Sequence, residues 1–189
     1  MPLKAGNIWI YQDSTWDSLH ALPQVLTDTA YLSTATATSA SEPGILFYNF
    51  VDYNGWFGPY AYFANASDQY GNSYLLAMDS IGTNPYTYFE TAPSDGTLLG
   101  SSQDFSNPAC LTTYQQFAFA STTVINGYTC YKNFITATNC NNVNVENQVE
   151  YVSPGVGIVR FEDWVQDTTL PNKPLYLNYS QTLTKYIPK

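Results

Sequence analysis

The sequence predicts one nearly all-β domain over residues 1–189, an antiparallel meander of about ten strands forming a barrel, half-barrel or sandwich. Three observations carry this expectation. Apolar residues recur with period two along most of the chain, and helical spacing is almost absent. The strand former Tyr is present 17 times. Only 11% of residues are charged, against roughly 25% in an average globular domain, which leaves few Lys and Glu for long solvated helices.

The elements follow in order. Asn7–Gln12 reads as a strand with Trp9 and Tyr11 on one face and Ile8 and Ile10 on the other. Thr15–Leu26 places Trp16, Leu19 and Leu22 at helix-like spacing, which predicts the one short helix, before Pro23. Thr29–Thr38 alternates Thr with small residues, as an exposed strand does, and Ile45–Tyr53 is an apolar, aromatic strand. Asn54-Gly55 supplies a turn. Tyr60–Ala64 and Ser73–Met78 form a hairpin pattern. Residues 79–110, rich in Gly and Pro, read as loops around a short strand at Tyr86–Glu90.

The second half is more regular. Tyr114–Val124 and Tyr128–Thr138 flank Asn126-Gly127, a strong short-range hairpin signal. An Asn-rich loop follows at Asn139–Asn144. Val145–Val152 and Gly157–Trp164 flank Pro154-Gly155, suited to a type II turn. Leu175–Tyr186 closes the chain as a strand.

Charge narrows the partners. Asp and Glu total 15 against 6 Lys and Arg, a net charge of −9. Such a surface repels phosphates, so nucleic acid is excluded as the main partner. No run approaches the ~18 apolar residues of a membrane-spanning helix. Uncharged polar groups must solvate the surface instead, a composition that suits an extracellular or cell-envelope protein. No leader precedes the first strand-like segment, so export predicts that one has been removed. The sequons Asn65-Ala66-Ser67 and Asn178-Tyr179-Ser180 matter only in a eukaryotic secretory pathway.

Export also bears on the three cysteines, Cys110, Cys130 and Cys140. Two of them are expected to pair. Cys130–Cys140 is the working assignment and Cys110–Cys140 the alternative; three buried thiols are the competing reading. Irregular spacing and a single histidine, His20, argue against zinc, and neither a metal nor a cofactor is expected.

Three segments resemble a known family. Pro2-Leu3-Lys4-Ala5-Gly6-Asn7-Ile8-Trp9-Ile10-Tyr11 resembles the "PLKxGNxWxY" opening of a family of bacterial envelope or secreted lipoprotein-like β domains. Tyr151-Val152-Ser153-Pro154-Gly155-Val156-Gly157-Ile158-Val159-Arg160 resembles the family's "YxxPGVGxV" segment, and Ile125–Ile135 resembles its central hairpin. Residues 28–110 show little in common with it. The resemblance implies an antiparallel β fold and a secreted or lipid-anchored location. The sequence departs from the family in lacking the lipid-bearing cysteine ahead of the domain, so any anchor would lie upstream. Read from the residues alone, these segments are structural: Trp9 buries a ring, and Gly155 and Gly157 suit a turn or bulge.

The candidate chemistry is sparse. His20 lies near Asp13, Asp17 and Ser18, but no nucleophile elbow accompanies it. Glu146 and Glu150 share a strand face, while Glu162 and Asp163 point to opposite faces, and neither pair defines a glycosidase. Asp52-Tyr53-Asn54-Gly55 starts like a calcium loop without the closing Glu. The densest aromatic run is Tyr53, Trp56, Phe57, Tyr60, Tyr62 and Phe63. Exposed aromatics on a β scaffold stack on sugars or anchor interfaces, so Trp56, Phe57, Tyr60 and Tyr62 are the candidate ligand-binding residues; alternate members filling the core is the competing account.

These features predict a non-enzymatic extracellular or envelope domain that binds a hydrophobic or carbohydrate ligand or a partner protein. The alternative is a structural subunit of a surface layer or filament, which low charge and an odd cysteine would suit. A polysaccharide hydrolase ranks third.

Overall fold

The computed structural model describes residues 1, 3–16, 22–52, 61–67, 69, 73–78, 85–90, 94–105 and 107–189. Twelve strands occupy them: β1 (Ile8–Thr15), β2 (Gln24–Thr38), β3 (Leu46–Val51), β4 (Ala61–Ser67), β5 (Ser73–Met78), β6 (Tyr86–Glu90), β7 (Thr97–Asp104), β8 (Thr112–Ile125), β9 (Tyr128–Thr138), β10 (Asn144–Ser153), β11 (Gly157–Gln166) and β12 (Leu175–Ile187). They form one antiparallel sheet in the order β6-β5-β4-β3-β2-β1-β12-β11-β10-β9-β8-β7. Each strand thus pairs with its sequence neighbour, except at two places. β1 pairs with β12, and β6 meets β7 without a ladder. The result is a nearly closed barrel with a seam between β6 and β7.

The barrel is the meander the periodicity predicts. Asn126 (φ 50°) and Gly127 (φ 83°) turn β8 into β9, and Ile125 pairs directly with Tyr128. Both residues take the left-handed backbone that a two-residue hairpin of this twist requires. The expected helix is not formed across its described residues. Thr15 ends β1 and Gln24–Leu26 open β2, because pairing along Thr15↔Gln24, Ser14↔Val25 and Asp13↔Leu26 satisfies both backbones. β7 was absent from the sequence expectation. It pairs only with β8 and is largely exposed, so no burial periodicity marks it.

The working disulfide is corrected. Cys110 bonds Cys140, and Cys130 is a buried free thiol. The reason is topological. Cys130 starts β9 and Cys140 follows its far end, roughly 26 Å of strand away. Cys110 precedes β8, whose Thr113 pairs with Thr138, so Cys110 and Cys140 share one end of the barrel.

The interior is graded along the axis. At one end Trp9, Val152, Ile158, Cys130 and Leu183 pack with Leu3, Ile125, Tyr128, Val156 and Tyr186. Trp9 Nε1 donates to the Val156 carbonyl at 2.7 Å, and Tyr11 Oη to the Ile158 carbonyl at 3.0 Å. Asn126 Nδ2 donates to the Leu183 carbonyl at 2.9 Å. The three family-like segments therefore meet at this apolar end. Across β2–β5, alternation sends a second set to the outer face, where Ala37, Phe47, Tyr62, Ala64 and Met78 are buried together. Burying five apolar groups on an outer face gives that side of the sheet its own small core.

Candidate functional site

Toward the other end the inward positions become polar. The register fixes two rows across the barrel. One runs Asp13–Gln181–Phe161–Glu150–Asn133–Ala118, from β1 through β12, β11, β10 and β9 to β8. The next runs Tyr179–Asp163–Gln148–Ile135–Gln116–Gly100 and ends on β7. A cavity of about 520 Å³ opens where this second row reaches the seam. Its walls are Thr87 of β6, Leu99, Gly100, Ser101 and Ser102 of β7, Tyr114 and Gln116 of β8, Ile135 of β9 and Gln148 of β10. The size lies within the range of small-ligand sites. Six of these nine residues carry a hydroxyl or amide, but most of the lining surface is apolar, so the cavity offers a few donors and acceptors set in an apolar wall.

A buried hydrogen-bond group holds the seam together. Tyr88 of β6 donates through its hydroxyl to Glu150 Oε1. Its carbonyl accepts from Gln116 Nε2 at 2.6 Å and from Asn133 Nδ2 at 2.9 Å. Asn133 Nδ2 also lies 3.4 Å from Glu150 Oε2. Gln116 thus lines the cavity while tying β6 to β8. Glu150 is 2% exposed, and burial lifts its carboxyl to about 7 against the opposing pull of the Tyr88 and Asn133 donors.

The cavity wall is braced from behind by acid groups. Gln148 Nε2 donates to Glu146 Oε1 at 2.6 Å. Asn178, the extra residue of a β11–β12 bulge, donates to Asp163 Oδ2 at 3.1 Å. Burial raises both Glu146 and Asp163, and the nearby Asp163 charge raises Glu146 further. Burial and then the Asp28 charge raise Asp13 to about 6. Burial and the same acid arc push Tyr179 up as well.

The sequence-derived residues fall as follows. Trp56, Phe57, Tyr60, His20, Tyr53, Asn54 and Gly55 lie outside the described residues. Tyr62 is 8% exposed in the outer-face cluster, away from the cavity. Glu146 and Glu150 share the inward face, and Asp163 joins them from β11. Glu162 points outward, where Arg160 pairs with it at 2.7 Å. Among the described residues no three His, Cys, Asp or Glu converge as a metal site. Sequence reasoning did not find the cavity. Gln116, Gln148 and Tyr114 alternate as in any strand, and only the meeting of β6 with β7 makes them neighbours of Thr87.

No protein-family model matches the chain, and no curated protein does. Solved structures do. A Bacteroides fragilis protein inferred to be exported, with a YmcC-like fold, aligns over 100% of this chain and 98% of its own at 13% identity and a TM-score of 0.52. A Parabacteroides distasonis protein inferred to be a lipoprotein aligns over 99% and 97% at 14% identity and a TM-score of 0.51. At these identities the likeness establishes a shared fold.

Proposed function

We propose that this chain is an exported envelope domain that binds a small polyhydroxylated ligand, of the carbohydrate class, in the cavity at the β6–β7 seam. The observation that carries the reading is the cavity itself: about 520 Å³, with Ser, Thr, Tyr and Gln side chains set among Leu99 and Ile135, the mix of polar edge and apolar face that a sugar ring presents. Hydroxyls and amides match sugar hydroxyls, and Tyr114 adds a ring for stacking. Two proteins of the same fold inferred to be exported or lipid-anchored support the envelope location. The acidic surface and the disulfide agree with it.

Native mass spectrometry of unreduced protein tests this reading. A monomer of 21.1 kDa carrying a bound saccharide is the expected result. A large, ligand-free assembly would contradict it and favour a surface-layer subunit. Trp56, Phe57 and Tyr60 are proposed as a separate stacking set for the same ligand class, whereas Tyr62, buried in the outer-face cluster, serves the core. A Trp56→Ala variant that loses ligand at an unchanged melting temperature would establish it; equal loss of stability would place Trp56 in the core.

A further inference from the structure

The seam leaves two strand edges without a ladder. β7 pairs only with β8, and among the described residues no hydrogen bond reaches its other edge between Leu99 and Ser102. Leu99, Gly100, Ser101 and Ser102 all line the cavity. Successive side chains of a strand point to opposite faces. One cavity therefore meets four residues in a row only by reaching the strand's edge as well as a face. Along an antiparallel edge strand, alternate residues aim their N–H and C=O away from the partner. On the β7 side the cavity is thus walled by open backbone donors and acceptors, which a ligand has to satisfy when it displaces water there.

The opposite edge is more nearly closed. The Tyr88 carbonyl of β6 accepts from Gln116 and Asn133, and Thr87 is the β6 residue at the cavity. Between these edges the wall turns apolar. Leu99 is the extra residue of a bulge between Leu98 and Gly100, and it joins Ile135 on the lining. Hydroxyl groups alone make poor use of such a lining, whereas a small apolar group beside a peptide-like dipole suits it.

We infer that the ligand of the cavity carries an acetylated amide, its carbonyl accepting from the free edge of β7 and its methyl resting on the Leu99 and Ile135 lining. Under the proposed function, on which this inference rests, that makes it an acetamido sugar. A trans amide holds its N–H and C=O on opposite sides. With the carbonyl on β7, the N–H faces the β6 side, where the Thr87 hydroxyl accepts it. The amide thus takes the place that a peptide group of a missing strand would occupy between β6 and β7. It is uncharged, as are all the described residues of the wall.

Matched probes test it. The β-1,4-linked disaccharides of N-acetylglucosamine and of glucose differ only in replacing a hydroxyl by an acetamido group on each ring. Calorimetric titration of the intact protein should give about tenfold tighter binding of the acetylated form, the worth of one hydrogen bond and a buried methyl. The advantage should hold as salt is raised, because neither probe is charged. In backbone amide NMR spectra the acetylated form should shift the N–H resonances of residues 99–102 more than the glucose form does. Tighter binding that leaves those resonances in place would overturn the seating on β7. Equal binding of the two probes would overturn the inference and leave the carbohydrate reading standing. Binding of neither would overturn both. A capped alanine tripeptide that binds more tightly than either disaccharide would make the seam a strand-addition site, and would also overturn both.

Discussion

At the residue scale, Glu150 makes the clearest prediction. Its folded carboxyl titrates at about 7, above the roughly 4.3 of an unfolded Glu. Between those values the folded state keeps a proton that the unfolded chain has lost. Stability from this group is therefore complete below about pH 4 and is lost as pH rises through about 7. Asp13, raised to about 6, acts in the same direction. The melting temperature of the wild type should fall from pH 5 to pH 8, and Glu150→Gln should flatten that fall. A melting temperature that rises over this interval would contradict the burial argument. Cys130 offers a second check. It is buried, and burial raises its thiol, so alkylation of native protein should leave it unmodified. One thiol should appear after denaturation without reduction, because Cys110 and Cys140 are joined.

At the scale of the elements, β6 is the strand held least by backbone. It pairs only with β5, and Tyr88 supplies its side-chain link to the far half of the barrel. Tyr88→Phe removes the donor to Glu150 and should destabilise the protein by about 1–3 kcal/mol, read by denaturant unfolding. Hydrogen exchange in β6 and β7 should rise more than in β1 and β12, since the lost bond closes the seam. The Cys110–Cys140 bridge closes a loop with a sequence separation of 30. Cys110→Ser should cost about 3–4 kcal/mol by the chain-entropy account. The elements also mark what the sequence could reveal. Alternation made most strands legible because one face of each meets the core, as with Trp9 and Tyr11. β7 was hidden because Thr97–Asp104 buries almost nothing. The disulfide was hidden because spacing along the chain says nothing about which strand ends share a side of the barrel.

At the scale of the whole molecule, the fold class was readable and the site was not. Short links between strands implied a meander, and the order in the sheet is that meander. Closure is a different property. It depends on β1 pairing with β12 across the length of the chain, and that pairing places β6 beside β7. The cavity exists because those two edges meet without a ladder. Its residues are ordinary strand residues until then. The aromatic run around Tyr62 attracted attention through composition, whereas the cavity wall is made of Thr, Leu, Gly, Ser, Tyr, Gln and Ile residues scattered over five strands. That Glu146 and Glu150 share a face was legible, but Asp163 joins that inward face only through the register.

Blocking the cavity is the most direct test of this account. Gly100 lies on the wall, and a Cβ built there meets no atom within 4 Å. Gly100→Trp should therefore fill the cavity without straining the sheet. Titrating wild type and Gly100→Trp with the saccharide that native mass spectrometry finds bound decides the central claim. The account predicts binding by the wild type, its loss in Gly100→Trp, and the same melting temperature within a few degrees. Unchanged binding by a folded Gly100→Trp would place the ligand elsewhere and contradict it.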